Sequence, residues 1–305
     1  MSTIEIQGLS KNYGSVQALD NIQLNVPRGS IFGYLGPNGA GKTTTMKILT
    51  GLLHYKSGSV KVFGQEVKEG QVELQKNIGF LPDTEMPHNS SIERFLSLTA
   101  KMNNLTARKK HVSEILNELG LLKIRNRKIG NLSRGQKRRA GLANALLTDP
   151  PLLILDEPNS GLDPIARVKI LTLLKRLAKA GKTIFLSSHI IGEVDKIATD
   201  IAIIHHGNII EQGKRSELQG QFLDHKRYII SGKLNIMKVT SLDSVSSCEI
   251  DYLGRYIINT SGTVTEEQLL LDLIQKANSR IQSFSSAEMS LEDLFLGKIN
   301  GGPVT

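Results

Sequence analysis

The chain has 305 residues, a formal net charge of +9 and the composition of an ordinary globular protein, so it can form one large domain or two. Its single cysteine, Cys248, excludes an internal disulfide and a cysteine-based metal cluster, which suits a reducing compartment. Its first residues lack the layout of a signal peptide, and no apolar run approaches the ~20 residues of a membrane helix, so we expect no membrane crossing.

Short strands are predicted over the first 35 residues. Thr3–Ile6 and Ile22–Val26 alternate apolar and polar residues, and a loop at Lys11–Gly14 lies between them. Tyr13 in that loop has two interpretations. Its ring either stacks on a flat base, or it packs at the end of a strand.

Residues 36–44 form the most informative stretch, because they fit the phosphate-loop pattern G-x-x-x-x-G-K-[ST] between a short strand at 31–35 and a predicted helix at 42–53. Glycine-rich backbone can aim several N–H groups at a polyphosphate, and the start of a helix attracts the anion. Lys42 would reach the β and γ phosphates, and the Thr43 hydroxyl would bind Mg²⁺. A simple glycine-rich turn does not explain strand, loop, Lys-Thr and helix together. The candidate nucleotide ligands are Gly36, Pro37, Asn38, Gly39, Ala40, Gly41, Lys42, Thr43 and Thr44.

A mainly helical insertion follows two further predicted strands at 58–64 and 77–82. Ser90–Glu93 reads as a capping box that begins one helix. A second helix, at about 106–120, places four apolar residues on one stripe before Gly120 ends it: Val112, Ile115, Leu116 and Leu119.

Positive charge is concentrated in this insertion. Residues 101–140 contain twelve Lys and Arg against two acids, Glu114 and Glu118, so the segment carries +10 and the rest of the chain −1. Such a surface can bind nucleic acid, anionic lipid headgroups or acidic loops of a partner, or it can simply face solvent.

Two further motifs point to the same chemistry. Ser133 is placed to cap a helix at 134–148, whose free N–H groups attract an anion. The apolar run 151–155 predicts a strand buried on both faces that ends in Asp156 and Glu157, where ligands of parallel sheets bind. Asp156 would hold Mg²⁺ opposite Thr43, and Glu157 would act as the general base on the attacking water.

The next elements extend this pattern. Ser160–Asp163 forms a tight turn, and Pro164 begins a helix that continues to about residue 180. A buried strand at 183–188 ends at His189, which is placed to contact a γ phosphate. A hairpin over 201–211 closes this part of the chain.

The sequence changes character beyond about residue 215. Residues 227–230 and 255–258 read as strands, and Thr265 begins a helix in which Leu269, Leu270, Leu273 and Ile274 are expected to face inward. A short helix at Ser290–Phe295 is predicted at the end. We expect a small α+β accessory domain here, and no chemical motif lies in it.

Together these motifs resemble the ATP-binding subunit of an ABC transporter, over roughly residues 1–215. In that resemblance, 36–43 is the Walker A loop, Leu132–Gln136 the LSGGQ signature, Leu152–Glu157 the Walker B strand with its catalytic glutamate, and Ser160–Asp163 the D-loop. Tyr13 takes the adenine-stacking position and His189 that of the switch histidine. The motifs are highly specific in this order and spacing.

The resemblance implies a fold, a mechanism and partners. The fold is an α/β P-loop NTPase with an ABC-type nucleotide-binding domain at 1–215, a helical subdomain at about 90–140, and an accessory domain at 216–305. Two copies would bind ATP and Mg²⁺ head to tail. Ser133, Gly135, Gln136 and Asp163 of one copy would then act on ATP held by the other. A homodimer follows most simply, and a heterodimer stays possible.

Two residues depart from the family pattern. Arg134 replaces the commonest glycine of the signature, which is compatible with the site if its side chain points away from the phosphates. Asp83 stands where the Q-loop glutamine is expected, and its carboxylate can still bind Mg²⁺ or its water. An acid at this place, with a small C-terminal domain, resembles the ABC-2 type, daunorubicin-resistance-like exporters.

The implied function is ATP hydrolysis that powers a separate membrane permease, with the chain bound peripherally at the cytoplasmic face of the membrane and no nucleic-acid partner. Three alternatives stay open. A soluble ABC ATPase of nucleic acid or ribosomes would explain the basic segment, although such proteins carry two cassettes or a long heptad insertion. A regulator without turnover would explain Asp83 and Arg134, but not Glu157 and His189. A P-loop kinase or GTPase leaves the signature unexplained.

Overall fold

The computed structural model describes residues 2–83, 87–106, 108–220, 225–251, 253–261 and 264–287. The chain divides into two compact units, Met1–Gly213 and Lys214–Thr305. The helix predicted at Ser290–Phe295 lies outside the described residues. Within the described ranges, no helix combines the length and the apolar character that a membrane span needs.

Among the residues that the structure describes, ten strands and seven α-helices begin within the first unit. In chain order, the strands are β1 Ser2–Tyr13, β2 Val16–Pro27, β3 Ile31–Leu35, β4 Ser57–Val62, β5 Gln65–Glu66, β6 Ile78–Leu81, β7 Leu152–Leu155, β8 Thr183–Ser188, β9 Asp200–His205 and β10 Asn208–Lys214. The helices are α1 Lys42–Leu49, α2 Val72–Gln75, α3 Ile92–Met102, α4 Arg108–Glu118, α5 Arg134–Leu146, α6 Pro164–Lys179 and α7 Ile191–Val194.

A six-stranded sheet in the order β10-β9-β3-β8-β7-β6 is the centre of the first unit. The pairs from β9 to β6 are parallel. Every residue of β3, β7 and β8 is buried, as expected for strands covered on both faces. Because parallel strands end at the same edge, the segments that follow β3, β7 and β8 meet there.

A second sheet, in the order β2-β1-β4-β5 and antiparallel in each pair, completes the first unit. One cluster of buried apolar side chains joins it to α1 and to the six-stranded sheet, and this cluster includes Ile4, Leu24, Met46, Val62 and Phe185. The predicted α/β fold is therefore confirmed, with α1 packed between two sheets.

Two helix boundaries differ from the sequence prediction. Helix α1 ends at Leu49 rather than at Leu53, because Gly51 follows in the left-handed conformation, with φ of +66°. Helix α3 is capped by Ser91, whose hydroxyl accepts a hydrogen bond from the Arg94 N–H. The predicted capping box from Ser90 to Glu93 is wrong, because the cap lies one residue later.

The second unit has the arrangement called a split βαβ. Its elements are α8 Arg215–Gly220, β11 His225–Lys233, α9 Ile236–Thr240, β12 Val245–Ile250, β13 Tyr256–Ser261, α10 Glu266–Leu271 and β14 Arg280–Ala287. From β11 to β14 the order of elements is βαββαβ, and the antiparallel sheet has the strand order β12-β13-β11-β14. This unit has a core of its own, centred on Tyr228, Ile230, Ile258, Leu269 and Leu273.

One residue of this core was predicted wrongly. Thr265 caps α10 as expected, and Leu269 and Leu273 are buried, but Ile274 is 51% exposed. The reason is a π-helical turn at Asp272–Lys276, which widens the helix and moves Ile274 off the inward stripe.

Replacing Phe185 by Ala should lower the free energy of unfolding of the first unit by about 3–5 kcal/mol. Phe185 is fully buried in β8, and its ring centroid lies 5.6 Å from that of Phe32 and 5.2 Å from that of Tyr34. Urea denaturation followed by circular dichroism measures the change, since the chain has no tryptophan. Val168→Ala, on the exposed face of α6, is the control and should change it by less than about 0.5 kcal/mol. Equal losses would contradict the core assignment.

Candidate nucleotide site

The loop between β3 and α1 can form only with glycine at both of its ends. A Cβ on Gly36 would lie 2.3 Å from the carbonyl oxygen of Ile204, and a Cβ on Gly41 would lie 2.8 Å from that of Ala18. Gly41 also has a φ of +110° and precedes the first residue of α1. The loop therefore packs closely against its neighbours while it leads into the helix amino terminus.

Lys42 is a buried cation at the centre of this loop. Its side chain is 8% exposed, and its Nζ donates hydrogen bonds to the carbonyl oxygens of Gly36 at 2.7 Å and Pro37 at 3.0 Å. Nζ also lies 3.8 Å from Oε1 of Glu157. Burial lowers the pKa of Lys42, and the carboxylates of Glu157 and Asp156 oppose this shift.

Asp156 is a buried carboxylate held by two hydroxyl groups. It is 1% exposed, and the Thr43 Oγ1 and the Ser187 Oγ each donate to one of its oxygens at 2.6 Å. Thr43 comes from the start of α1, Asp156 follows β7, and Ser187 lies near the end of β8. The meeting of three strand ends thus brings together the two predicted magnesium ligands, Thr43 and Asp156.

Hydroxyl and carboxylate oxygens are the ligands that Mg²⁺ prefers, so this pair fits the ion. Among the described residues, no group of three or more His, Cys, Asp or Glu side chains could hold a metal ion by themselves. A cation at Thr43 and Asp156 would therefore need further oxygens from water or phosphate, which is the usual coordination of Mg²⁺ beside a nucleotide.

Glu157 is fixed through both its backbone and its side chain. Its N–H donates to the Ser187 Oγ at 2.9 Å, and its carbonyl accepts from the Arg138 Nε at 3.0 Å. Its Oε2 lies 2.8 Å from the His189 Nδ1. Its Oε1 is buried and has no hydrogen-bond partner within the described part of the chain. One carboxylate oxygen is thus held by the histidine, and the other can accept a proton.

The signature stretch contacts the turn at Ser160–Asp163. Ser133 caps α5 in a reciprocal capping box with Gln136. The Arg134 Nη2 donates to the Ser160 Oγ at 2.8 Å. A Cβ on Gly135 would lie 2.8 Å from the carbonyl oxygen of Gly161. The Arg134 side chain therefore lies against the neighbouring turn, and the two motifs form one surface.

Two further predicted residues lie at element ends. Asp163 caps α6 by accepting the Ala166 N–H at 2.8 Å, and this hydrogen bond lowers the pKa of Asp163. Tyr13 is the last residue of β1, and its side chain is exposed, with the Lys11 Nζ 5.3 Å from its ring centroid. Both side chains are placed where another molecule can reach them.

Asp83 follows β6 directly and lies beside a cation. Its side chain is 57% exposed, and its Oδ1 lies 3.9 Å from the Arg138 Nη1. The same Nη1 donates to the Pro82 carbonyl at 2.8 Å. Asp83 thus contacts Arg138, a residue that the sequence reading did not single out.

Sequence reasoning missed two residues of this site. Ser187 hydrogen-bonds both Asp156 and Glu157, and its place at a strand end before His189 was a usable signal. Arg138 was one of twelve cations in the basic segment, and nothing in the pattern separated it from the others.

Known proteins resemble this chain along its length. A family model described as "ABC transporter" matches residues 19–160. The bacitracin transport ATP-binding protein of Bacillus licheniformis is 34% identical over the full length of both chains. The daunorubicin/doxorubicin resistance ATP-binding protein of Streptomyces peucetius is 29% identical over 98% of this chain and 93% of its own. A solved dimeric ATP-binding cassette in a post-hydrolysis state, bound to ADP and phosphate, is 27% identical, with a TM-score of 0.64 over 70% of this chain and 98% of its own.

Replacing Ser187 by Ala should lower the free energy of unfolding by about 1–3 kcal/mol, because the buried Asp156 loses a donor and the Glu157 N–H loses its acceptor. Urea denaturation measures the effect. Ser97→Ala in α3 is the matched control, because the half-buried Ser97 hydroxyl makes no side-chain hydrogen bond within the described part of the chain. If the two variants were equally stable, the hydroxyl of Ser187 would contribute nothing to the site.

Proposed function

We propose that this chain, which belongs to the family of ABC transporter ATP-binding proteins, hydrolyses ATP to drive export through a separate membrane permease. The observation that carries the proposal is the meeting of Lys42, Asp156, Glu157 and His189 at one edge of the sheet. The relatives named for bacitracin transport and for daunorubicin/doxorubicin resistance support transport and, for the second, export. In this proposal, residues 1–215 are the ATPase domain and 216–305 an accessory domain.

The loop 36–44 and Tyr13 would bind ATP. The backbone N–H groups of the loop and the start of α1 attract the triphosphate. Lys42 would exchange its hydrogen bonds to the Gly36 and Pro37 carbonyls for the β and γ phosphates. The exposed ring of Tyr13 would stack on the adenine.

Thr43 and Asp156 would hold Mg²⁺. The third residue that the sequence offers for the ion, Asp83, lies 3.9 Å from the Arg138 Nη1, and the Mg²⁺ requirement of Asp83→Asn decides between these two partners. The ion supplies positive charge to the phosphate oxygens when it is bound. Thr43 and Asp156 fit this role because their oxygens already lie 2.6 Å apart in a buried place.

Glu157 is the proposed general base. Its Oε1 accepts a proton from a water molecule while His189 holds Oε2, so the carboxylate keeps its direction as the water attacks the γ phosphorus. The bond from the γ phosphorus to the bridging oxygen breaks, and ADP and phosphate are released. Lys42, whose Nζ lies 3.8 Å from Oε1, stabilises the negative charge on the phosphate oxygens during this step.

Two copies are proposed to act together, head to tail. Ser133, Gly135 and Gln136 of one copy would cover ATP held by the loop of the other, and Asp163 would lie at the same interface. The single set of motifs supports a homodimer, as does the dimeric state named for the solved cassette. A heterodimer with a similar subunit is the alternative.

The permease is proposed to dock beside the helices of residues 90–130. A groove of about 580 Å³ in the first unit is lined both by apolar residues, among them Phe80 and Phe95, and by the cations Arg134, Lys137 and Arg138, and such a mixed lining suits an amphipathic helix of a partner protein. The basic charge of 101–140 would face the anionic inner leaflet, so the chain would lie peripherally at the cytoplasmic face.

Reversing the charge of Arg108, Lys109 and Lys110 at the exposed start of α4 should weaken binding to permease-containing membranes about a hundredfold or more, because each of the three cations near an anionic surface contributes about 1 kcal/mol. Sedimentation with such membranes measures it. The matched control is reversal of three exposed lysines of α6, Lys169, Lys175 and Lys179. Equal binding by the two triple variants would contradict this orientation.

A second function is favoured by the same basic segment, namely a soluble ATPase that acts on nucleic acid. Its distinguishing property is ATP hydrolysis that requires RNA or DNA. Hydrolysis that is unchanged by added RNA and DNA would favour the transporter function.

Replacing Glu157 by Gln should lower kcat for ATP hydrolysis by about 10²–10⁴-fold, because the amide cannot accept the proton. ATP binding should be retained, and an ATP-bound dimer should accumulate during gel filtration. Glu211→Gln in β10, outside the proposed site, is the control. If Glu157→Gln hydrolyses ATP with the kcat of the wild type, Glu157 is not the general base.

A further inference from the structure

We infer that Arg138 is a positioning residue for Glu157, which it holds by the backbone carbonyl, and that Asp83 keeps the Arg138 guanidinium in place. The inference rests on the proposed function, in which Glu157 is the general base. In this inference the Asp83 carboxylate pairs with the Arg138 guanidinium and does not bind the metal ion.

The Arg138 guanidinium joins three parts of the first unit. Arg138 lies in α5, and its side chain is only 9% exposed. Nε donates to the Glu157 carbonyl at 3.0 Å, Nη1 donates to the Pro82 carbonyl at 2.8 Å, and the Asp83 Oδ1 lies 3.9 Å from the same Nη1. A planar guanidinium donates from separate nitrogens in fixed directions, so that Nε and Nη1 reach the two carbonyls independently, whereas a lysine has one nitrogen for both.

Glu157 needs such support because of its backbone conformation. Its φ is +50°, in the left-handed region that side-chain-bearing residues adopt only when the surroundings fix it. The Ser187 hydroxyl holds its N–H and Arg138 holds its carbonyl. With the carbonyl released, the peptide after Glu157 can rotate, and the carboxylate then leaves its place between Lys42 and His189.

The charges around Arg138 explain the role of Asp83. Burial lowers the pKa of Arg138, the carboxylates of Asp83, Asp156 and Glu157 oppose that shift, and the cation of Arg134 adds to it. Asp156 and Glu157 are already engaged by hydroxyls and by His189. The Asp83 carboxylate, whose Oδ1 lies 3.9 Å from Nη1, is therefore the group that we assign to balancing the charge of the guanidinium.

The first test is steady-state ATP hydrolysis by the full chain. Arg138→Met should lower kcat between about tenfold and hundredfold, as a misplaced catalytic group does, while KM for ATP changes less than about twofold. Arg138→Lys should recover part of the loss, because an amine can still donate to one carbonyl. Arg28→Met, in the exposed turn after β2, removes the same charge elsewhere and should match the wild type.

The second test uses Asp83, whose exposed side chain can be changed without disturbing the core. At saturating Mg²⁺, Asp83→Asn should lower kcat about threefold, and the double variant with Arg138→Met should be no slower than Arg138→Met alone. Circular dichroism melting curves of all variants show whether each is folded.

Four results would overturn the inference. The first is a kcat for Arg138→Met equal to that of Arg28→Met, and the second is a change of KM for ATP without a change of kcat in Arg138→Met. The third is a kcat for Arg138→Lys no higher than that of Arg138→Met. The fourth is additive losses of kcat in the double variant together with a raised Mg²⁺ requirement of Asp83→Asn. The last would return Asp83 to the metal ion. Each of these leaves the proposed function standing if the wild type hydrolyses ATP. If the wild type binds ATP but never hydrolyses it, even with its permease, the proposed function fails and the inference fails with it.

Discussion

The pair of hydroxyl groups on the buried Asp156 carboxylate is the interaction on which the rest of the site depends. A buried charge is stable only when its hydrogen bonds are made, and here one donor comes from the start of α1 and the other from the end of β8. Thr43 and Ser187 can reach Asp156 only if β3, β7 and β8 keep their register, in which Leu35 pairs with Ser188 and Leu155 with Leu186. Sheet alignment and site geometry are therefore one constraint.

The sequence predicted the structure correctly where a motif and the element it organises lie close together along the chain. Examples are the glycines and Lys42 of the phosphate loop, the capping of α5 by Ser133, the start of α6 at Pro164 and the buried strand before Asp156, each of which lies within a few residues of what it organises. One general rule, that parallel strands end at the same edge, then brought these local motifs to a single place. The fold class and the family followed from that combination.

The remainder depended on contacts between distant residues. The Arg138 guanidinium reaches carbonyls 19 and 56 residues away, and periodicity in a helix carries no information about such partners. The φ of +50° at Glu157 is likewise set by its neighbours, because glutamate has no preference for that region. Ile274 was predicted to face inward because the sequence pattern assumes a regular helical period, which the π turn changes. The order of the strands in the sheet of the second unit could not be predicted, because each strand's own pattern carries no information about its neighbours.

The separation along the chain between Thr43 and Asp156 has a consequence for biosynthesis. These hydrogen-bonded residues are 113 positions apart, and β8 joins the sheet later still. A nascent chain that ends before residue 183 therefore lacks the Ser187 hydroxyl, the His189 ring and the strand that separates β3 from β7. Closing contacts of such long range is slow, and the phosphate loop emerges from the ribosome well before it has a catalytic partner. Because such a chain lacks the residues that hold Asp156 and Glu157 in place, we expect it not to hydrolyse ATP until β8 and His189 have been synthesised.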